Sequence, residues 1–210
     1  MEKPRVTVEQ TIPGLAAEIY DDEDHFMKGR RLENVAWPDE WLSHPMFEQV
    51  LFDHVQFTQS QLERLEITDA ILTNCDFSNC QLEQALFYRV TFKNCNLLGV
   101  NLDQAMLNQV TFENCRLDLA ALSRLKTKQA VFKGCSLKSA SLTDSQTLKV
   151  KFEQSDLDDL LITGTWLKNI DLRSCTFEKL SIGEREVRGV RVTTEQAATL
   201  AALLLGVRVD

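Results

Sequence analysis

Apolar residues recur along this chain on a beat of five. From Phe52 onward every fifth position is apolar, through Phe57, Leu62, Ile67, Leu72, Phe77, Leu82, Phe87, Phe92, Leu97, Leu102, Leu107, Phe112, Leu117 and Leu122. The beat fails at Thr127, recovers at Phe132, Leu137 and Leu142, and fails again at Thr147. It then runs from Phe152 to Ile182 with no insertion or deletion. Two residues before each centre stands a quieter series of small or apolar residues, among them Ala70, Cys75, Cys80, Ala85, Val90 and Cys95. A helix repeats at 3.6 and a plain strand at 2, so neither accounts for a period of five. A short period held over this length predicts a solenoid.

The lag at twenty residues predicts how it is wound. Cysteines stand at Cys75, Cys95, Cys115, Cys135 and Cys175, with Ser155 in the gap, and phenylalanines at Phe92, Phe112, Phe132 and Phe152. Like over like at twenty means that four pentapeptides make one square turn. Turns should stack at the strand spacing of about 4.8 Å, which gives the stretch from Phe52 to Ile182 a length of roughly 32 Å.

The consensus A-(D/N)-L-x-x, visible as Ala105-Met106-Leu107 and Ala140-Ser141-Leu142, is similar to that of the pentapeptide-repeat family. The resemblance implies an all-β solenoid, a right-handed quadrilateral β-helix, and 25 of the 27 centres obey it.

Three segments are expected: a cap at 1–46, the repeat at 47–192 and an end segment at 193–210. In the first, Leu32, Trp37, Leu42 and Phe47 keep register, but Arg30 and Glu40 would then point into an apolar core. The expectation is a non-repeat cap with a helical turn after Pro38, closed by Pro45, and a lid of Trp37, Trp41 and Phe47. Asp21 to Asp24 should form a solvated acidic loop. At the other end Thr193-Thr194-Glu195-Gln196 is a capping box. A helix should run from it to Leu205, stop at Gly206 and lead into a short strand at Val207–Asp210. That helix is apolar nearly all round, so one face should cover the coil and another should meet a second copy. Leu200, Leu203, Leu204 and Val207 are the candidate dimer contacts.

Composition narrows the chemistry. The chain has 210 residues, 44% of them hydrophobic, and a formal net charge of −8, which argues against simple nucleic-acid binding. No apolar run of 18 residues offers a membrane span, and Met1-Glu2-Lys3-Pro4 opens no apolar signal region, so a cytoplasmic protein is expected. All six cysteines sit two before a centre, where stacked, parallel side chains suit neither a tetrahedral metal site nor a crosslink. Buried thiols are expected there. His25, His44 and His54 have no metal-spaced companion, and there is no Gly-rich phosphate loop. A packed interior leaves no substrate cavity. No enzyme, cofactor or metal is expected.

The outward residues sort into four walls, named by centre: the first at Phe52, the second at Phe57, the third at Leu62 and the fourth at Ile67. The first carries Asp53, Lys93, Glu113, Lys133, Glu153 and Arg173, with signs alternating from Lys93 onward. The third stacks Glu63, Glu83 and Asp103, like over like, with Asp144 further along, and Asp156, Asp158 and Asp159 cluster on the second. These seven acids are the candidate partner-binding surface, an imitation of duplex phosphates. It would be partial, with one charge per roughly 4.8 Å against one per about 1.7 Å in DNA. The fourth wall leans basic, with Arg89, Lys126, Lys128, Lys149, Lys168 and Arg188, and sets Leu86, Met106, Leu148 and Trp166 outward. Thr127 and Thr147 lie on it. Either their hydroxyls find backbone partners, or a bulge splays Lys126 and Lys128 outward.

The ending also resembles the C-terminal helix and strand of quinolone-resistance (Qnr-type) pentapeptide proteins. That resemblance implies a homodimer through the C-terminal end. It also implies engagement of type II topoisomerases, DNA gyrase or topoisomerase IV, through an acidic DNA-like surface that protects them from quinolones. Several such proteins carry loops projecting from the repeat, and this chain has none. The alternative is a scaffold that binds another protein through the apolar, basic fourth wall.

Overall fold

A computed structural model describes residues 1–208. Turns of twenty residues stack in parallel along one axis. On the first wall Phe52, Leu72, Phe92, Phe112, Phe132 and Phe152 lie side by side. On the fourth, Met27, Phe47, Ile67, Phe87, Leu107, Thr127 and Thr147 keep the same register. The third pairs Leu42 with Leu62, Leu142 with Ile162 and Ile162 with Ile182. The second is held by single bridges, from Gln56–Asp76 to Asp156–Thr176. The expected four-sided β-helix is the fold.

The period of five has a local cause. Side chains alternate across a strand, so a centre and the residue two before it face inward while their neighbours face out. The chain must then turn a corner, and nearly every residue two past a centre takes a left-handed conformation, such as Asn74 (φ 54°), Gln84 (φ 61°) and Asn94 (φ 53°). Asn, Asp and Gly enter that region most cheaply, which suits the corner series Asn74, Asn94, Asn114 and Gly134. At Gly134 a Cβ would come within 2.5 Å of Asn114 Oδ1, so a larger residue there would have to turn that side chain aside. The first and fourth walls share continuous strands (Glu66–Thr73, Leu86–Lys93, Met106–Glu113 and Lys126–Lys133), the first three bent at left-handed corners.

Inside, the rings stack. Phe112 is fully buried between Phe92 and Phe132, each 4.9 Å away and near-parallel.

The ends differ from expectation. The coil already begins at Phe26–Lys28, so the expected boundary at 46/47 falls inside it. The supposed helical turn after Pro38 is a turn followed by a strand, Trp41–Ser43, paired with Gln61–Glu63. Trp37 and Phe47 are buried members of the ladder, whereas Trp41 points out and is 81% exposed. The end is plugged instead by the fully buried Ile19, on a 3-10 turn at Ala16–Tyr20. Arg30 and Glu40 are tolerated because the same segment meets them. Glu18 Oε2 accepts from Arg30 Nε at 2.5 Å, and Tyr20 donates to Glu40 at 2.6 Å. Charge is no obstacle on the last turn of a stack, where the inward series borders the cap.

At the far end the helix spans Thr194–Leu205. Thr193 caps it, Gln196 completes the box, and Gly206 is left-handed (φ 65°). Gln196 Nε2 also donates to the carbonyls of Leu172 and Cys175, both at 2.9 Å, tying the helix to the coil's last open backbone. Val207 and Arg208 form no strand, and Val209 and Asp210 lie outside the described residues.

Residues 1–6 form an arm along the corner between the fourth and first walls. Gln49 donates to the Arg5 carbonyl, Arg5 N–H to Asp69 Oδ1, and Glu2 N–H to Gln109 Oε1. Beneath the arm Asp69 and Arg89 form a buried two-point ion pair, Nε to Oδ1 at 2.6 Å and Nη2 to Oδ2 at 2.5 Å. Burial pushes the Asp69 carboxyl up, but Arg89 and the Arg5 amide outweigh it and hold it below its ordinary value.

Phe112→Ala should cost about 3–5 kcal/mol in a urea titration, since the stacked neighbours cannot close the hole. A loss under about 1 kcal/mol would mean that the ring is not part of the ladder. Asp69→Asn strands a buried guanidinium and should cost about 3–5 kcal/mol at neutral pH. Because the folded carboxyl is depressed, its stabilisation is complete above the unfolded value of about 4 and fades as pH falls below it. The gap between wild type and variant should therefore narrow in acid, and a gap independent of pH would refute the pairing.

Candidate functional site

The third wall does bring Glu63, Glu83 and Asp103 into one column. They are not equivalent. Glu63 stands exposed, with Arg64 Nε at 4.0 Å. Glu83 accepts from Asn101 Nδ2 at 2.6 Å. Asp103 is gripped at both oxygens by Arg124, which holds its carboxyl below the ordinary range. The neighbouring corner column, running through Arg64, Gln84, Gln104, Arg124 and Asp144, interleaves positive charge beside the acids. A twenty-residue lag taken one position further along would have found it. A shallow groove of about 390 Å³ runs along this wall between Trp41, Glu63 and Glu83.

The acids of the second wall serve the backbone. Asp158 Oδ1 accepts from the amides of Glu178 and Lys179, at 2.9 and 2.8 Å, which depresses its pKa. Asp156 is paired with Lys138 Nζ at 3.0 Å, and Asp159 accepts from Ser139 Oγ at 3.0 Å. These three are committed to holding turns in place, and Asp144 stands at a left-handed corner apart from them.

The fourth wall is the opposite case. Met106, Leu148 and Trp166 are 46%, 59% and 61% exposed, and Leu86 is half-buried. Lys126, Lys128, Lys149, Lys168 and Arg188 form no ion pair among the described residues. Arg89 does not belong with them: Asp69 has claimed it, and its guanidinium carbon lies 3.9 Å from the Tyr88 ring centre. On the first wall only Glu113 and Lys133 of the alternating column pair, at 3.6 Å. Arg173 turns sideways to Asp171, which holds that carboxyl down at about 2.

The first reading of the two threonines holds, and of the second only a register shift beside Thr127 is seen, with Lys126 still in its row. Thr127 Oγ1 lies 3.3 Å from the carbonyls of Gln146 and Leu148, and Thr147 Oγ1 donates to Trp166 O at 3.2 Å. The register also shifts, so that Asn108 faces Gln129 and Lys128 has no partner in the row. Behind them is a small void of about 10 Å³ lined by Leu122, Leu125, Phe132 and Phe152 among others. A groove of about 660 Å³ follows the edge between the third and fourth walls, past Leu86, Met106, Arg124 and Lys126.

On the end helix Leu200 is buried against the coil, Leu204 is half-buried, and Leu203 and Val207 remain 45% and 43% exposed. All six cysteines are free and buried, and burial pushes the Cys80 thiol up to about 12. His44 meets Glu66 at 2.7 Å and His54 meets Asp53 at 2.9 Å. Among the described residues no three His, Cys, Asp or Glu side chains are placed to hold a metal ion. Among the described residues no helix is long and apolar enough to cross a membrane.

A family model described as a pentapeptide repeat region matches residues 85–162, and one described as pentapeptide repeats (8 copies) matches 51–87; together they take in just over half of the chain. No curated protein matches it. Among solved structures it is similar to HetL, a pentapeptide repeat protein involved in heterocyst differentiation regulation from the cyanobacterium Nostoc sp. strain PCC 7120. The two are 18% identical over 80% of this chain and 83% of that one, with a TM-score of 0.43. It is also similar to a trypsin-treated QnrB1 variant, a plasmid-mediated fluoroquinolone resistance protein, with 20% identity over 88% and 91% and a TM-score of 0.40. Rfr23, a pentapeptide repeat protein from the cyanobacterium Cyanothece 51142, is 20% identical over 64% and 89%, with a TM-score of 0.33.

Proposed function

The chain belongs to the pentapeptide-repeat family, and from that premise we propose that it is a non-catalytic rod that binds a protein partner on its fourth wall. One observation carries this reading: unpaired cations interleave with exposed Met106, Leu148 and Trp166 in a chain of net charge −8. An idle solvated face has no reason to gather uncompensated like charges, which repel, around large apolar side chains, which water disfavours. A partner that supplies carboxylates and apolar contacts removes both costs.

A second reading, binding of a type II topoisomerase (gyrase or topoisomerase IV) by partial DNA mimicry with protection from quinolone-type inhibitors, is favoured by the groove that sets exposed Trp41 beside Glu63 and Glu83. Its weakness is charge density. Arg64 and Arg124 dilute a column already sparser than a duplex, and Asp156, Asp158 and Asp159 are engaged within the fold. In either reading the rod pairs with a second copy through its C-terminal helix, where Leu203 and Val207 lie open.

Two charge-reversal sets separate the readings. With Lys126, Lys128 and Lys168 changed to Glu, the protein should lose the partner that the wild type retains on a column. With Glu63, Glu83 and Asp103 changed to Lys, it should keep that partner and should leave quinolone-inhibited gyrase supercoiling as the wild type does. Rescue of supercoiling by the wild type, lost only in the acidic-column variant, would overturn the first reading in favour of the second. Leu203→Glu should shift sedimentation from dimer to monomer without unfolding the coil. A variant that sediments as the wild type does would dismiss the C-terminal interface.

A further inference from the structure

We infer that what the fourth wall receives is an acidic amphipathic α-helix lying along the axis of the rod. This rests on the fourth-wall reading and adds the shape and chemistry of the partner to it.

Backbone availability narrows the candidates first. The strands of this wall lie inside a continuous ladder, with Leu86–Lys93, Met106–Glu113 and Lys126–Lys133 each paired on both sides. Apart from Lys128, which the register shift leaves outside the row, these strands are taken up by the neighbouring turns, so a partner cannot add to them as a strand. Recognition has to run through side chains that stand out from the face.

Spacing selects next. The outward residues form two columns, Met106, Lys126, Gln146 and Trp166 before the centre and Asn108, Lys128, Leu148 and Lys168 after it. In the first, Met106, Lys126 and Gln146 pair row by row, one turn or about 4.8 Å apart, while in the second the register shift sets Lys128 out of the row. A helix laid along the axis repeats its facing residues every 5.4 Å, so it slips by only about 0.6 Å per turn. An extended strand repeats its facing side chains at roughly 6.6 Å and is out of phase by the second turn. Three spacings, from Met106 to Trp166, span about 14 Å, the rise of nearly ten helical residues.

Chemistry completes the choice. Met106 and Trp166 stand at the two ends of the first column, three turns apart, and Leu148 stands in the second column on the third turn, an apolar strip that residues at i, i+3, i+7 and i+10 of a helix can cover. Lys126 stands between Met106 and Trp166 in the first column with Lys128 beside it in the second, Lys149 follows Leu148, and Lys168 stands beside Trp166. Carboxylates along the strip would meet cations that form no ion pair among the described residues, so the described fold gives up no ion pair on binding.

The test uses synthetic helices and calorimetry. One peptide carries a leucine stripe flanked by glutamates and is locked helical by a side-chain staple; its twin has lysine for each glutamate, and a third is an unstapled scramble of the first. The acidic helix should bind, weaken with added salt, and lose about tenfold or more in affinity when Lys126, Lys128 and Lys168 become Glu. Trp166→Ala should weaken it by a similar factor, and the change of Glu63, Glu83 and Asp103 to Lys should not weaken it. Equal binding of the lysine twin or the scramble, or tighter binding to vesicles containing phosphatidylserine, would overturn the inference. If no helix binds while the lysine reversals still abolish retention of the cellular partner, the helix falls and the wall stands. If the reversals change neither, both fall.

Discussion

Each inward side chain of this rod rests on the side chain at the same position one turn away, and everything else accommodates that contact. Stacking at one strand spacing lets no turn be longer than its neighbours, because a single inserted residue would rotate every later side chain to the wrong face. Turn length can be held only if every corner is made alike, and so left-handed residues recur two past the centres from Asn34 to Asn169. The strain of those corners is offset by the ladders between them. Rings lie on rings and thiols on thiols for the same reason, not because the chemistry of either is wanted.

The same rule that makes the interior regular makes the exterior awkward. A column repeats whatever it holds, so like charges stack unless something intervenes. The protein intervenes in several ways. It alternates sign at Glu113 and Lys133, turns Arg173 sideways to Asp171, sets Arg124 on Asp103, and sinks Asp69 with Arg89 under the N-terminal arm. Against that background the uncompensated cations of the fourth wall are an exception.

The fold was legible because burial imposes its period on the sequence without ambiguity. Phe92, Phe112, Phe132 and Phe152 announce their own neighbours, and Thr193 with Gln196 announces the helix. What escaped was local. Arg30 and Glu40 suggested a break at the first turn because a charge in a core is costly, yet the last turn of a stack is only half covered, and Glu18 and Tyr20 reach it. Trp41 is no lid, because its place one before Leu42 sets it outward. The acidic surface was less legible than the core. Columns drawn at a lag of twenty ignore the corner residue one step along, and Arg64 and Arg124 stand there. Nothing in a spacing marks that Asp158 would spend its oxygens on the amides of Glu178 and Lys179.

The irregular stretch and the exposed stretch are the same stretch. Thr127 and Thr147 replace the only two centres that are not apolar between Phe52 and Ile182, and the register shifts beside the first of them. A hydroxyl at a centre needs a carbonyl, and Gln146, Leu148 and Trp166 supply theirs from the next turn. Those three residues are therefore fixed by bonds from the core side, while their own side chains face out on the fourth wall. A bulge re-aims the side chains around it, and here Lys128 is the one left outside the row. The interior gives up some packing, leaving a small void, where the exterior gathers Lys126, Lys128, Leu148 and Trp166. In a coil whose stability is the sum of nearly identical turns, one weaker turn is tolerated because its neighbours on both sides remain stacked. That tolerance lets the rod carry an irregular, partly apolar and basic surface.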